Sequence, residues 1–131
     1  MTDGILTLTM NPAVDVSVVT DTVVPTDKLR CRDASRSPGG GGINVARVVD
    51  RLGGACRAVY PAGGAIGQQL RELLRAQAVE TIVIDVAAET RESFSVTEAR
   101  NGGQYRFVLP GNALTQTEWR ACIDAVVAHV K

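Results

Sequence analysis

The chain has 131 residues, 45% of them hydrophobic, which suffices for one domain with a real core and excludes a disordered polar chain. Lys and Arg together number 14 and so do Asp and Glu, giving a formal net charge of zero. That balance lacks the basic excess expected of a nucleic-acid or membrane-surface partner.

Gly4 to Met10 is a β-rich, mostly apolar run that stops at Asn11-Pro12, and it reads as a core strand. Asp15 follows shortly after. A carboxylate just past the C-terminal end of a core strand can meet a ligand, because open α/β sheets bind there; a solvated loop acid is the other reading. Val16 to Val24 is β-branched with polar interruptions. Lys28 to Arg36 alternates, with Lys28, Arg30 and Arg32 set against Leu29, Cys31 and Asp33. Both segments read as strands with an exposed face. The three basic residues could hold a phosphate or simply form a solvated strand face.

Next come four consecutive glycines, Gly39 to Gly42, running directly into Ile43-Asn44-Val45-Ala46-Arg47. A loop without side chains lets its backbone approach a ligand closely. The helix behind it offers unpaired N–H groups and a positive dipole end, which suit an anion or a row of hydroxyls. A dinucleotide fingerprint needs Gly where Asn44 stands, and no Lys-Ser/Thr pair follows to make a P-loop. Ile43 to Leu52 reads as a short helix ended by Gly53-Gly54. A strand at Ala55–Tyr60, a helix at about Ile66–Gln77 and a strand at Thr81–Val86 follow. This alternation predicts a parallel α/β sheet, with the ribbon at Val16–Arg36 lying off it.

Glu92 to Ala99 and Gln104 to Leu109 alternate around Asn101-Gly102-Gly103, which supplies the residues of a tight hairpin. Arg91 stands at its start and Arg106 in the return strand. Thr115-Gln-Thr-Glu118 is a capping box that opens a last helix. His129 sits near that helix's end, where it reads as a surface or dipole-compensating residue. Cys31, Cys56 and Cys122 fit no zinc spacing, and their odd number suits a reducing compartment. No leader pattern opens the chain and no apolar run is long enough for a membrane span, so the expected location is cytoplasmic.

Several spaced segments together resemble the N-terminal part of the PfkB sugar kinases of the ribokinase superfamily. They are Asn-Pro-Ala-Val-Asp ending at Asp15, Lys28-Leu29-Arg30, GGGGINVAR, Leu52-Gly53-Gly54, Tyr60-Pro-Ala-Gly-Gly, Thr90-Arg91, and Gln-Tyr-Arg-Phe-Val-Leu-Pro-Gly. Within the family the pattern is most similar to the minor 6-phosphofructokinase branch of enteric bacteria. Related 1-phosphofructokinases and tagatose-6-phosphate kinases commonly carry Lys where Gly41 stands.

The resemblance implies a ribokinase-like parallel sheet flanked by helices, with a small β lid formed from strands within 16–36 and 92–109. It implies that Asp15 accepts hydrogen bonds from sugar hydroxyls and that Gly39 and Gly40 let the backbone pack on the sugar. Asn44 would bond a hydroxyl. Lys28, Arg91 and Arg106 would hold a 6-phosphate, with Arg30 a weaker candidate. The lid would close over fructose 6-phosphate and exclude water. Two lids would pair into a homodimer through Val18, Leu29, Phe94, Val96 and Phe107, and a phosphate-binding arginine could come from the partner subunit.

The family's catalytic Asp lies in a Gly-Ala-Gly-Asp motif, and neither that motif nor the family's Asn-x-x-Glu occurs in this sequence. The motifs for ATP and Mg2+ and the nucleotide-binding half are also absent, for family members run to roughly 300 residues. The expectation is therefore the sugar-phosphate-binding part of an ATP-dependent 6-phosphofructokinase, truncated and inactive alone. The alternatives are a stand-alone sugar-phosphate-binding module, a partner subunit, or a relative of the 1-phosphofructokinases and tagatose-6-phosphate kinases.

Overall fold

A computed structural model describes residues 4–130. The order is β1 (Ile5–Leu8), β2 (Ala13–Thr20), β3 (Arg32–Gly39), α1 (Gly41–Arg51), β4 (Cys56–Ala62), α2 (Gly64–Ala76), β5 (Glu80–Asp85), β6 (Arg91–Glu98), β7 (Gln104–Val108) and α3 (Gln116–His129). Two sheets result. One is three-stranded and parallel, in the order β1-β4-β5; the other is four-stranded, in the order β3-β2-β6-β7.

The parallel sheet follows from the predicted alternation, because each connection between its strands carries a helix or a crossover. Its middle strand, β4, alternates between two buried faces. Ala58, Tyr60 and Ala62 point into the core with Ile43 and Ala46 of α1 and Leu70 and Leu74 of α2. Val59, fully buried, lies on the opposite face. The third helix packs against β1, β4 and β5, with Cys122 as its fully buried residue. Gly53, at φ +81°, ends α1 as the sequence predicts, and its N–H bonds the Asp50 carbonyl at 3.0 Å. The Thr115–Glu118 capping box is formed in both directions.

The second sheet mixes two kinds of pairing. The β2/β3 ribbon and the β6/β7 hairpin are antiparallel. They join through β2 and β6, which run parallel over their whole length. The hairpin turns at Asn101-Gly102-Gly103 as predicted: Gly102 has φ +73°, and the Asn101 Oδ1 accepts the Gly103 N–H at 2.8 Å.

Three local expectations change. The first strand is an edge rather than a core strand. Among the described residues it pairs only with β4, and Ile5 is 50% and Leu8 38% exposed. Asp15 is not in a loop, because β2 begins at Ala13 directly after Asn11-Pro12 has carried the chain to the second sheet. The third strand begins at Arg32, so Lys28 and Arg30 belong to a connecting segment and do not form a strand face with Arg32. The alternation of charges there has no strand to sit on.

Candidate functional site

Strand alternation gives the second sheet one polar and one apolar face. The register sets Ser37, Asp15 and Ser93 side by side, and Ser35, Ser17, Ser95 and Arg106 in the next row. These residues share one face, since side chains repeat every second residue. The other face carries Arg36, Val16, Phe94 and Phe107 in one row and Val18, Val96 and Tyr105 in another, so it is mostly apolar with one cation at the β3 edge.

The polar face and the start of α1 enclose an open cavity of about 400 Å³. Asp15, Ser17, Ser37, Gly40, Gly41, Asn44, Arg91, Ser93, Ser95 and Arg106 are among its lining residues. Five predicted site residues thus meet in one place: Asp15, Gly40, Asn44, Arg91 and Arg106. Gly39 is buried beside it. Lys28 is exposed in the 21–31 segment and is not among the lining residues. That segment starts beyond Thr20, roughly 17 Å along β2 from Asp15 at the usual strand rise.

The glycines serve different ends. A Cβ on Gly39 would collide with the Asp15 carboxylate, so this glycine makes room for the acid itself. Gly40 has φ +125° and ψ 145°, a conformation open to glycine, and it turns the chain from β3 into α1 as the N-cap. A Cβ on Gly42 would stand 2.5 Å from Thr9 Oγ1 and 3.1 Å from the Leu8 carbonyl oxygen, so its absence lets α1 sit directly on the end of β1. Around Gly41 there is open space.

Thr9 is a residue that sequence reasoning missed. It is 5% exposed, and its Oγ1 accepts the Ile43 N–H at 2.9 Å. The N-cap glycine has no side chain to do this, so a hydroxyl from β1's end supplies the cap. The first intrahelical bond is Asn44 N–H to the Gly40 carbonyl, 2.8 Å. The Gly41 and Gly42 N–H groups precede it in the helix's first turn, where partial positive charge collects. The local cue in the sequence is slight: a hydroxyl residue ending the strand before Asn-Pro.

Two arginines, Arg91 and Arg47, are held by backbone carbonyls. The Arg91 guanidinium donates from Nη2 to the Asn11 carbonyl at 2.9 Å and from Nη1 to the Leu109 carbonyl at 3.0 Å. It therefore ties the β1–β2 link to the segment after β7. Arg47, also missed, donates from Nε to Gln77 Oε1 at 2.7 Å and from Nη1 to the Pro38 carbonyl at 3.1 Å. It braces the chain just before the glycines. Burial pushes the Asp15 carboxyl above its ordinary range, while Arg91, Arg106 and Arg47 act in the opposite direction. The site thus combines an acid, a helix N-terminus and a cluster of cations. It can bind a polyhydroxyl molecule that carries an anionic group.

Residues 8–130 match the pfkB family of carbohydrate kinases, and the chain belongs to that family. It is 54% identical over 120 residues to an ATP-dependent 6-phosphofructokinase isozyme 2 of Mycobacterium tuberculosis, covering 92% of this chain and 35% of the relative. The fold matches phosphofructokinase-2 from Escherichia coli in complex with fructose-6-phosphate with a TM-score of 0.94 and 41% identity, over 97% of this chain and 42% of that one. A tetrameric inhibited form of the same Escherichia coli enzyme matches with a TM-score of 0.92 and 41% identity, over 97% of this chain and 42% of the other. The chain therefore spans about a third of the length of the curated relative and about two-fifths of the solved chains. No helix among the described residues is long and apolar enough to cross a membrane.

Proposed function

We propose that this chain forms the sugar-phosphate-binding part of an ATP-dependent 6-phosphofructokinase, with fructose 6-phosphate as its ligand. The convergence of Asp15, the α1 N-terminus, Arg91 and Arg106 on one cavity carries this reading. Asp15 accepts hydrogen bonds from sugar hydroxyls, and Gly39 and Gly40 bring the backbone close to the ring. Asn44 bonds a further hydroxyl from the first turns of α1. Arg91 and Arg106 take the 6-phosphate, where charge-assisted bonds are strong and a guanidinium can grip two oxygens. Holding Arg91 on two carbonyls beforehand reduces the entropy lost on binding.

The apolar face of the second sheet pairs with that of a second copy, giving a homodimer in which the sheet acts as a lid. Phe94 and Phe107, 40% and 56% exposed, supply surface for this contact. Lys28 stands outside its own cavity and joins the phosphate only in the paired or closed form.

ATP and Mg2+ enter the reading through the family. The described residues contain no group of three or more His, Cys, Asp or Glu that could hold a metal ion, and the sequence has no Gly-Ala-Gly-Asp. No step is assigned through either group. Alone, the chain binds sugar phosphate without transferring a phosphoryl group. In the cell it works in the cytoplasm.

Titration calorimetry of the chain with fructose 6-phosphate tests the reading. Heat of binding that fructose does not reproduce, and that disappears in Asp15→Ala, is expected. Equal binding by the Asp15→Ala variant would sink the assignment.

A further inference from the structure

Glu98, the last residue of β6, is a buried acid outside the cavity. It is 3% exposed, and its Oε2 accepts the Val23 backbone N–H at 2.6 Å. None of the ion pairs among the described residues includes it. A buried carboxylate without a cation is costly unless hydrogen bonds replace its lost water. What this one holds is the 21–31 segment, which carries Lys28 and Arg30.

Two further bonds close the base of that segment. Thr20, 3% exposed, donates its hydroxyl to the Arg30 carbonyl at 3.0 Å. Arg32 Nη1 pairs with Asp21 Oδ1 at 2.6 Å. The β2/β6 pairing also continues past the strand ends, from the Ala99 N–H to the Thr20 carbonyl at 2.8 Å. The segment therefore leaves and re-enters the sheet through a stitched neck, like a compact surface loop whose ends lie close together. The Glu98–Val23 bond reaches beyond this neck and fixes one limb of the loop itself.

We propose that Glu98 is a positioning residue for the Lys28 loop. By holding Val23 it limits the conformations open to the loop and so sets where the Lys28 ammonium stands for the sugar's phosphate. This rests on the role given to Lys28 above. Ordering a loop in advance removes part of the entropy that ligand binding would otherwise lose.

Hydrogen exchange of the 131-residue chain, with fructose 6-phosphate titrations of the same samples, decides it. In Glu98→Ala, exchange of the amides at 22–31 should accelerate roughly tenfold or more, with β4 and α2 unchanged. Glu98→Gln keeps an acceptor for the Val23 N–H, so its acceleration should be smaller and confined to the same amides. Sugar-phosphate affinity should fall in Glu98→Ala, and in a Lys28→Ala background the same change should cost nothing more. Unchanged exchange at 22–31 in both variants, or acceleration spread evenly over the sheet, overturns the proposal. So does a loss of affinity that adds in full to that of Lys28→Ala. Should Glu98→Ala not fold, the Gln variant alone decides by where its exchange changes. If Lys28→Ala leaves affinity unaltered while the exchange results hold, the phosphate role of Lys28 falls and the anchoring of the loop stands.

Discussion

The two sheets of this molecule differ in how far their strands are covered. Every residue of β4 from Ala58 to Ala62 is buried, whereas every residue of β7 is exposed. The middle strand of the parallel sheet is covered on both faces and turns its side chains into packing. The second sheet is covered only in part, and its alternation instead separates a polar face beside a cavity from an apolar face on which Phe94 and Phe107 are exposed. Burial is concentrated in the middle of one sheet, and the proposed recognition in the other. Loss of a side chain should therefore read out differently according to the sheet it touches.

The largest expected effect is in the packed layer. Leu70→Ala, at a fully buried position, should lower folding stability by about 2–5 kcal/mol in denaturant melts. Phe107→Ser, on the open face, should leave the folding of the isolated chain almost unchanged and shift the sedimentation equilibrium toward monomer. If both variants lose comparable stability, the division between the layers is wrong.

Next comes the acid of the cavity. Asp15→Asn should weaken fructose 6-phosphate binding roughly ten- to hundredfold, the usual scale for a charged hydrogen-bond acceptor. The same variant should melt at a higher temperature at neutral pH. The folded state raises the pKa of Asp15, so the ionised acid costs stability above that folded value. The cost shrinks as pH falls through it and is gone below the ordinary value of 3.8. A melting difference between wild type and Asp15→Asn that persists unchanged at pH 3 would contradict this.

A smaller effect separates two neighbouring glycines. Gly42→Ala drives a methyl against Thr9 and the Leu8 carbonyl and should cost about 1–3 kcal/mol, the range for overpacking. Gly41→Ala meets open space and should be near neutral for folding. Thermal melts of the pair give the comparison directly. The smallest change is Thr115→Ala, which removes the hydroxyl cap of α3 and should cost about 1 kcal/mol.

Much of this was legible in the residues. The alternation of strands and helices, the Gly53 stop, the Asn101-Gly102-Gly103 hairpin and the Thr115 capping box are local signals: each depends on backbone conformation and on partners a few residues away. The segments resembling the family lay in plain view, and Asp15, Gly40, Asn44, Arg91 and Arg106 converge on one cavity. Thr9 was missed because its partner, the Ile43 N–H, is distant in the chain and becomes unpaired only when a glycine caps the helix. Arg47 was missed because a basic residue on a helix looks solvated until the Pro38 carbonyl and Gln77 are placed beside it.

Sequence alone determined most of the elements and their order, because period and turn residues act over short distances, but the Lys28–Arg32 strand face it suggested does not form, since β3 begins only at Arg32. Only the tertiary structure decided that β2 pairs parallel with β6, since pairing between strands so far apart in the chain is set by long-range contacts that no local pattern encodes. That one pairing brings Arg91 and Ser93 alongside Asp15, places Glu98 beneath the 21–31 loop, and turns a strand pattern into a site.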